Sequence, residues 1–404
     1  MDHLYRHHYG KMVAVLVRIF GLQHLETIED AVQDTFLKAT SSWKINPPDQ
    51  PEAWLTKAAR NRVIDLFRKI KPMEQTMELN SGSSSYAIGE LFLDDEIADS
   101  SLRMIFAACH PELDPRDQIV FSLKTISGFS NKEIAAALML KEPTVKKRIQ
   151  RARQKIQDQQ IAFGIPARAS IPARLQRVHQ VLYLIFNEGF HANHPDLLVR
   201  QDLCSEAIRL MQMLLSRPIA RSDDGYALLA LMCFHASRIE TKLDARGVVV
   251  DLEHQDRSKW YFPLIRLGND CMEKAVQNDR YSRYHYEAAI AAEHLKARKF
   301  EDTDWDRIYR WQEALWQLNP SPQLQLNMAM VLIQRGLLGE AGVKLDRLQP
   351  LDLEQRAYLY YAVRAKYFEA QGRKEQARAS LELALKTVGN TTEQTYLKER
   401  LNQL

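Results

Sequence analysis

Cysteine is scarce: 404 residues hold four, at 109, 204, 233 and 271, with no Cys-x-x-Cys pair. That spacing excludes a disulfide framework and a zinc site and reads as buried thiols. No apolar run approaches the roughly 18 residues of a membrane span. The N-terminus carries His3, Arg6, His7 and His8 and lacks a signal-peptide core, so a cytoplasmic chain with no membrane partner is expected. Excess charge is also missing, since 55 basic against 51 acidic residues leave +4, so any polyanionic partner must meet a local cluster. Alternating patterns are absent apart from the short run Gly247 to Val250, which makes the chain all-α. Glu188, His191, His194, Asp202, Asp256 and His285 show no ligand spacing of the His-Glu-x-x-His kind, so no catalytic residue, metal or cofactor is expected. At this length and 46% hydrophobic content, several domains are expected.

The most specific pattern lies between residues 129 and 155. Ser130 and Glu133 form a capping box, Ile134 and Leu138 give a first short helix its buried side, and Met139 to Lys141 connect it to a second. Pro143 opens that second helix, with Glu142 a poor N-cap. Val145, Ile149 and Ala152 face inward, leaving Thr144, Lys147, Arg148 and Arg151 outward, with Lys146 and Arg153 at the flank. Seven basic residues against one acid between 141 and 155 make this a helix-turn-helix whose second helix suits a major groove.

Two breaks divide the chain. Residues 72 to 100 hold seven acids, no Lys or Arg, and the tract Ser81 to Ser85, a linker by composition. A second break falls at 163 to 172, after which a long helical half begins. Before the first break, Ile28, Val32, Phe36 and Ala39 form one helical side, and Glu29, Asp30, Gln33 and Asp34 form an opposite, exposed acidic stripe that wants a basic partner. The next helix opens at Pro51 and buries Leu55, Ala59, Val63 and Leu66. It turns Lys57, Arg60, Asn61 and Arg68 outward beside Trp54, a combination that suits unstacked DNA.

This order, with the segments 28–39, 51–65 and 129–153, resembles the extracytoplasmic-function group of bacterial RNA polymerase sigma factors. The resemblance implies that Asp30, Gln33, Asp34 and Phe36 meet core RNA polymerase. It implies that Trp54, Lys57, Arg60, Asn61 and Arg68 serve minus-ten recognition and melting of promoter DNA. It further implies that Thr144, Lys146, Lys147, Arg148 and Arg151 meet the minus-thirty-five element. The expected domains are 1–71 (region 2), 72–100 (linker), 101–162 (region 4) and 173–404 (an extension).

The extension is helical in pattern. Gly336 to Ala341 and Gly372 to Ala377 share one offset, and the glycines lie 36 apart, close to the ~34-residue tetratricopeptide period. Segments 183–190, 202–210, 256–260 and 286–292 resemble the extension of a sigma subgroup carrying a C-terminal tetratricopeptide-like domain. The polar cluster Asn187, Glu188, Asp256, Arg257 and Trp260 is the expected surface for intramolecular docking that modulates activity. Two other readings cover part of the chain: a helix-turn-helix activator with a helical sensor, and a peptide-binding repeat scaffold. Neither accounts for the acidic helix at 28–39 followed by the Trp54 helix.

Overall fold

The computed structural model describes residues 2–43, 48–70, 94–138, 140–190, 200–389 and 391–404. Among these residues every regular element is helical, apart from one isolated antiparallel bridge between Leu243 and Val249 of the valine-rich run. The chain forms two compact units, 1–185 with 212–220, and 186–211 with 221–404. All four cysteines are buried and free, and no described helix is long and apolar enough to cross a membrane.

The first unit holds α1 (Asp2–Phe20), α2 (Leu25–Ser42), α3 (Pro51–Ile70), α4 (Asp94–Ala108), α5 (Pro115–Thr125), α6 (Asn131–Ala137) and α7 (Glu142–Asp158). The apolar stripes read from sequence are the faces that pack: Ile28, Val32 and Ala39 on α2, and Leu55, Ala59 and Val63 on α3, are wholly inaccessible. Asp114 accepts from the Arg116 amide and Pro115 starts α5, while Ser130 and Glu133 close the expected capping box on α6. On α7 the N-cap is Lys141, which provides no side-chain cap, and Glu142 sits in the first turn.

Two glycines let the front of this unit meet its back. A Cβ on Gly10, in the middle of α1, would stand 1.9 Å from the carbonyl oxygen of Ile126 just after α5. Gly128, at φ +70, sits over the ring of Tyr9. Arg18 of α1 pairs with Glu96, and with Asp99 at 3.3 Å. Residues 94–100, expected to be linker, are therefore the start of α4. Acidic side chains in a first helical turn are favoured by the helix dipole, and Arg18 adds a tertiary partner. The rest of the expected linker, 71–93, lies outside the described residues.

The expected start of the extension at 173 falls inside the next helix. Helix α8 (Ile171–Phe190) belongs to the first unit as far as Ile185, because Arg174 donates to the Phe106 carbonyl and lies over the Phe106 ring. Helix α9 (Gln201–Ser216) is likewise divided at Met211.

The second unit continues with α10 (Asp223–Ala236), α11 (Phe262–Ala275), α12 (Arg283–Lys296) and α13 (Trp305–Leu318). After these come α14 (Pro322–Gln334), α15 (Leu338–Asp346), α16 (Ala357–Ala370), α17 (Lys374–Thr387) and α18 (Thr391–Gln403). The α14–α15 and α16–α17 pairs turn in the same way. Gly336 and Gly372 adopt φ +75 and +73, and the next residues, Leu337 and Arg373, donate back to Leu332 and Phe368 at 2.9 Å. Ala341 and Ala377, five residues past each glycine, are fully buried where the following helix crosses its neighbours.

Candidate nucleic-acid and polymerase interface

The groove-facing candidates on α7 divide by what holds them. Lys146 and Lys147 are exposed, Lys146 within 3.3 Å of Glu142, and Thr144 is half-buried. Arg151 forks onto Asp117 of α5 through two 2.7 Å hydrogen bonds, although its side chain stays 57% exposed. Arg148 donates to the same carboxylate at 3.2 Å, with only 15% of its side chain exposed and its Nε buried without a partner. Asp117 is itself 4% exposed. One buried acid thus gathers two cations from successive turns of α7, raising the basicity of Arg151 through its hydrogen bonds and charge. Arg148 is an anchor of the helix, and Arg151 is a fork presented at its edge.

On α3, Lys57 and Asn61 are exposed, and Arg60 is half-buried with a 3.4 Å contact to Asn61. Trp54 stands edge-on to Trp43 at 5.5 Å, half-buried, so it combines a core edge with an open face. Arg68 lies in α3, but its side chain is outside the described residues.

The acidic stripe on α2 departs from expectation. Glu29 is 1% exposed. It is gripped by Arg153 of α7, which also reaches Glu26 at 2.9 Å. The basic partner that the stripe requires is, in this structure, the helix-turn-helix itself. Burial raises the Glu29 carboxyl above its ordinary range, against the opposing pull of Arg153, and burial likewise raises Asp30, with Glu26 adding to it. Asp30 and Gln33 line a cleft of about 580 Å³ whose other wall carries Lys146, Gln150 and Arg153. Asp34 is drawn sideways by Arg62 of α3, at 2.8 and 3.2 Å. Phe36, expected among the polymerase contacts, is 4% exposed and packs edge-on against Tyr5 at 4.9 Å. It is a core residue, because its position continues the Ile28–Val32 stripe.

The expected extension contacts do not form one surface. Asp256 caps the turn at 257–259 through Ser258, and Arg257 closes the end of α12 by donating to the carbonyls of His294 and Ala297 at 2.6 and 2.7 Å. Trp260 is buried, its indole N–H on Thr241 at 3.1 Å. These three side chains hold the extension's own loop, which is why their polarity gave a misleading signal of an outward face. Asn187 and Glu188 are half-buried on α8, and burial raises the Glu188 carboxyl.

Sequence reasoning missed Asp117, Arg62 and the inward turn of Glu29. Each depends on a pairing between helices 28 to 124 residues apart, which no local period encodes. Among the described residues no group of His, Cys, Asp and Glu could hold a metal.

Residues 4–72 match the family Sigma-70 region 2, residues 103–156 match Sigma-70, region 4, and residues 174–276 match a family of unknown function, DUF6596. An uncharacterized protein of Rhizobium meliloti is 33% identical over 400 residues, covering 97% of this chain and 93% of that protein. The ECF RNA polymerase sigma factor SigE of Mycolicibacterium smegmatis is 30% identical over 158 residues, 39% of this chain and 60% of the relative. The RNA polymerase sigma factor CnrH of Cupriavidus metallidurans is 32% identical over 155 residues, 37% of this chain and 80% of the relative. No solved structure matches the chain. With regions 2 and 4 both matched and packed into the first unit, and a sigma factor aligned over four-fifths of its own length, the chain belongs to the sigma-70 family of RNA polymerase sigma factors as an ECF-like member.

Proposed function

We propose that this sigma factor joins bacterial core RNA polymerase through the acidic face of α2 and directs it to specific promoters. In this reading α3 serves the minus-ten element through Trp54, Lys57, Arg60 and Asn61. Helix α7 enters the minus-thirty-five major groove with Thr144, Lys147 and Arg151 foremost. The extension, read as tetratricopeptide-like, modulates the activity inside the cytoplasm.

The observation that carries the reading is the pairing of α2 with α7 through Glu29, Glu26 and Arg153. The two promoter elements lie about 25 base pairs apart, roughly 85 Å at ~3.4 Å per pair. Helix α3, packed on α2, and helix α7, ion-paired to that same α2, cannot reach both elements at once, so promoter engagement requires the first unit to open. Core polymerase, by competing for α2, would supply the opening.

In-vitro transcription with purified core polymerase and a genomic library tests this directly. The full chain is expected to make the core initiate at a defined promoter class, and a chain ending at Ala220, which keeps the whole first unit, is expected to initiate at the same promoters with altered output. No initiation by either would end the sigma reading; equal output from both would end the modulating role. On such promoters Arg151→Ala is expected to weaken binding by about 1 to 3 kcal/mol if it forks onto a guanine. Arg148→Ala is expected to act mainly through stability. Footprinting against sequence-scrambled DNA separates base reading from phosphate contact.

A further inference from the structure

Among the described residues, the second unit holds a cluster of positive charge with no acid in ion-pair contact. Three cations converge beside the end of α8. Lys242 donates to the Phe190 carbonyl at 2.6 Å and stands 3.7 Å from the centre of the Phe190 ring. Arg238 lies 5.4 Å from the same ring centre, and His235 packs on that ring at 4.9 Å. Arg257 lies 4.7 Å above Trp260. Among the described residues none of the three cations has a carboxylate within ion-pair distance. The side chain of Arg238 makes one weak hydrogen bond, 3.4 Å to His235 Nδ1. The acids that reach the cluster only at a distance are Glu393, which accepts from the Tyr358 hydroxyl at 2.6 Å, and Glu301 and Asp302 on the Arg257 side.

Helix-end carbonyls explain part of this arrangement, since Lys242 and Arg257 both cap the ends of helices. Carbonyl dipoles do not neutralise a charge, and among the described residues the Arg238 side chain has no carbonyl partner. Two atoms are orphaned as well: Arg257 Nη2 and His294 Nδ1 are buried with no hydrogen-bond partner, which costs free energy unless a partner arrives. Arg238, Arg257, His235 and His294 are half-buried, so each side chain keeps part of its surface exposed. The electrostatics agree with the geometry. Burial and neighbouring cations bring Lys242 down to about 7 and His294 to about 3.

We propose that the cationic cluster beside Phe190, formed by Arg238, Lys242, Arg257 and His294, is a binding site for a small solute bearing a phosphoryl or carboxylate group. Such an oxyanion would lie against Arg238, accept from Arg257 Nη2, and supply the negative charge that the described residues do not bring into contact. The proposal does not depend on the promoter reading, because the cluster lies within the second unit and its occupation is measured without DNA or polymerase.

The test uses the full chain. Thermal unfolding is followed while inorganic phosphate or acetate is titrated at constant ionic strength, with chloride as the reference. A saturable stabilisation beyond chloride is expected, weakened about tenfold in half-saturating concentration by Arg238→Gln. The stronger of the two anions separates a phosphoryl from a carboxylate ligand. Equal stabilisation by all three salts, or an unchanged response in Arg238→Gln, overturns the proposal. Should Arg238→Gln fail to fold, the unaltered chain gives a second measurement: phenylglyoxal modification of Arg238, read by mass spectrometry, is expected to slow several-fold in the stabilising anion. Protection confined to the basic helix α7 would place the anion on the DNA-facing surface and overturn the proposal.

Discussion

Arg153→Ala is expected to open the first unit. In the closed arrangement Glu29 is almost completely buried against the Arg153 guanidinium, whose side chain is 22% exposed. Removing one member of a buried ion pair costs about 3 to 5 kcal/mol. The lower figure applies here, because Glu29 already has a raised proton affinity and can neutralise itself. About 3 kcal/mol is on the order of a hundredfold in the ratio of closed to open forms. Dyes on engineered cysteines at the exposed positions 38 and 157 would report the change as a fall in energy transfer, and the four native thiols, all buried, leave that labelling selective. Unchanged transfer in Arg153→Ala would mean that other contacts hold the unit shut. The pH dependence follows from the same carboxyl. Glu29 binds its proton more tightly closed than open, so the closed form gains as pH falls and weakens as pH rises through the raised value. Asp30 adds to this with the same sign.

The second large effect is expected at Asp117. Asp117→Ala leaves two guanidiniums side by side, and Arg148, 15% exposed, has nowhere to turn. The expected loss is about 3 kcal/mol in the stability of the helix-turn-helix, nearly all of it through Arg148. Arg151, at 57% exposed, contributes little because water screens it. A double-mutant cycle isolates the cause. In an Arg148→Ala background the same substitution is expected to cost at least 1 kcal/mol less, since the orphaned cation is gone. Urea unfolding, with hydrogen exchange on α5 to α7, measures both. Additive losses would show that Asp117 acts through α5 alone.

What the sequence made legible was whatever depends on local spacing. The faces of α2 and α3, the Ser130–Glu133 capping box, the inward set Val145, Ile149 and Ala152, and the two glycine turns all follow from helical period and turn chemistry. Side chains whose state depends on a distant helix were not legible. Glu29 lies opposite the Ile28–Val32 stripe and reads as solvated, yet α7 covers it. Phe36 was assigned to the surface by resemblance although its own period placed it inside. Asp117 carried no signal at all, because its two partners are 31 and 34 residues away. Asp256, Arg257 and Trp260 read as a docking patch because polarity alone does not distinguish an outward residue from one that closes a loop. The acidic residues 94–100 read as tether for a similar reason: composition records their charge but not Arg18.

The missing side chain at Gly10 has a broader consequence. With 1.9 Å between an added Cβ and the Ile126 oxygen, the front of the protein rests on the back across a gap that only hydrogen fills. Under the proposed opening, the balance between closed and open forms is therefore expected to shift with the width of one methyl group, at a position apart from the residues proposed to meet a promoter. Selection acting on that single position could produce a family of otherwise alike factors that differ in how readily they let go.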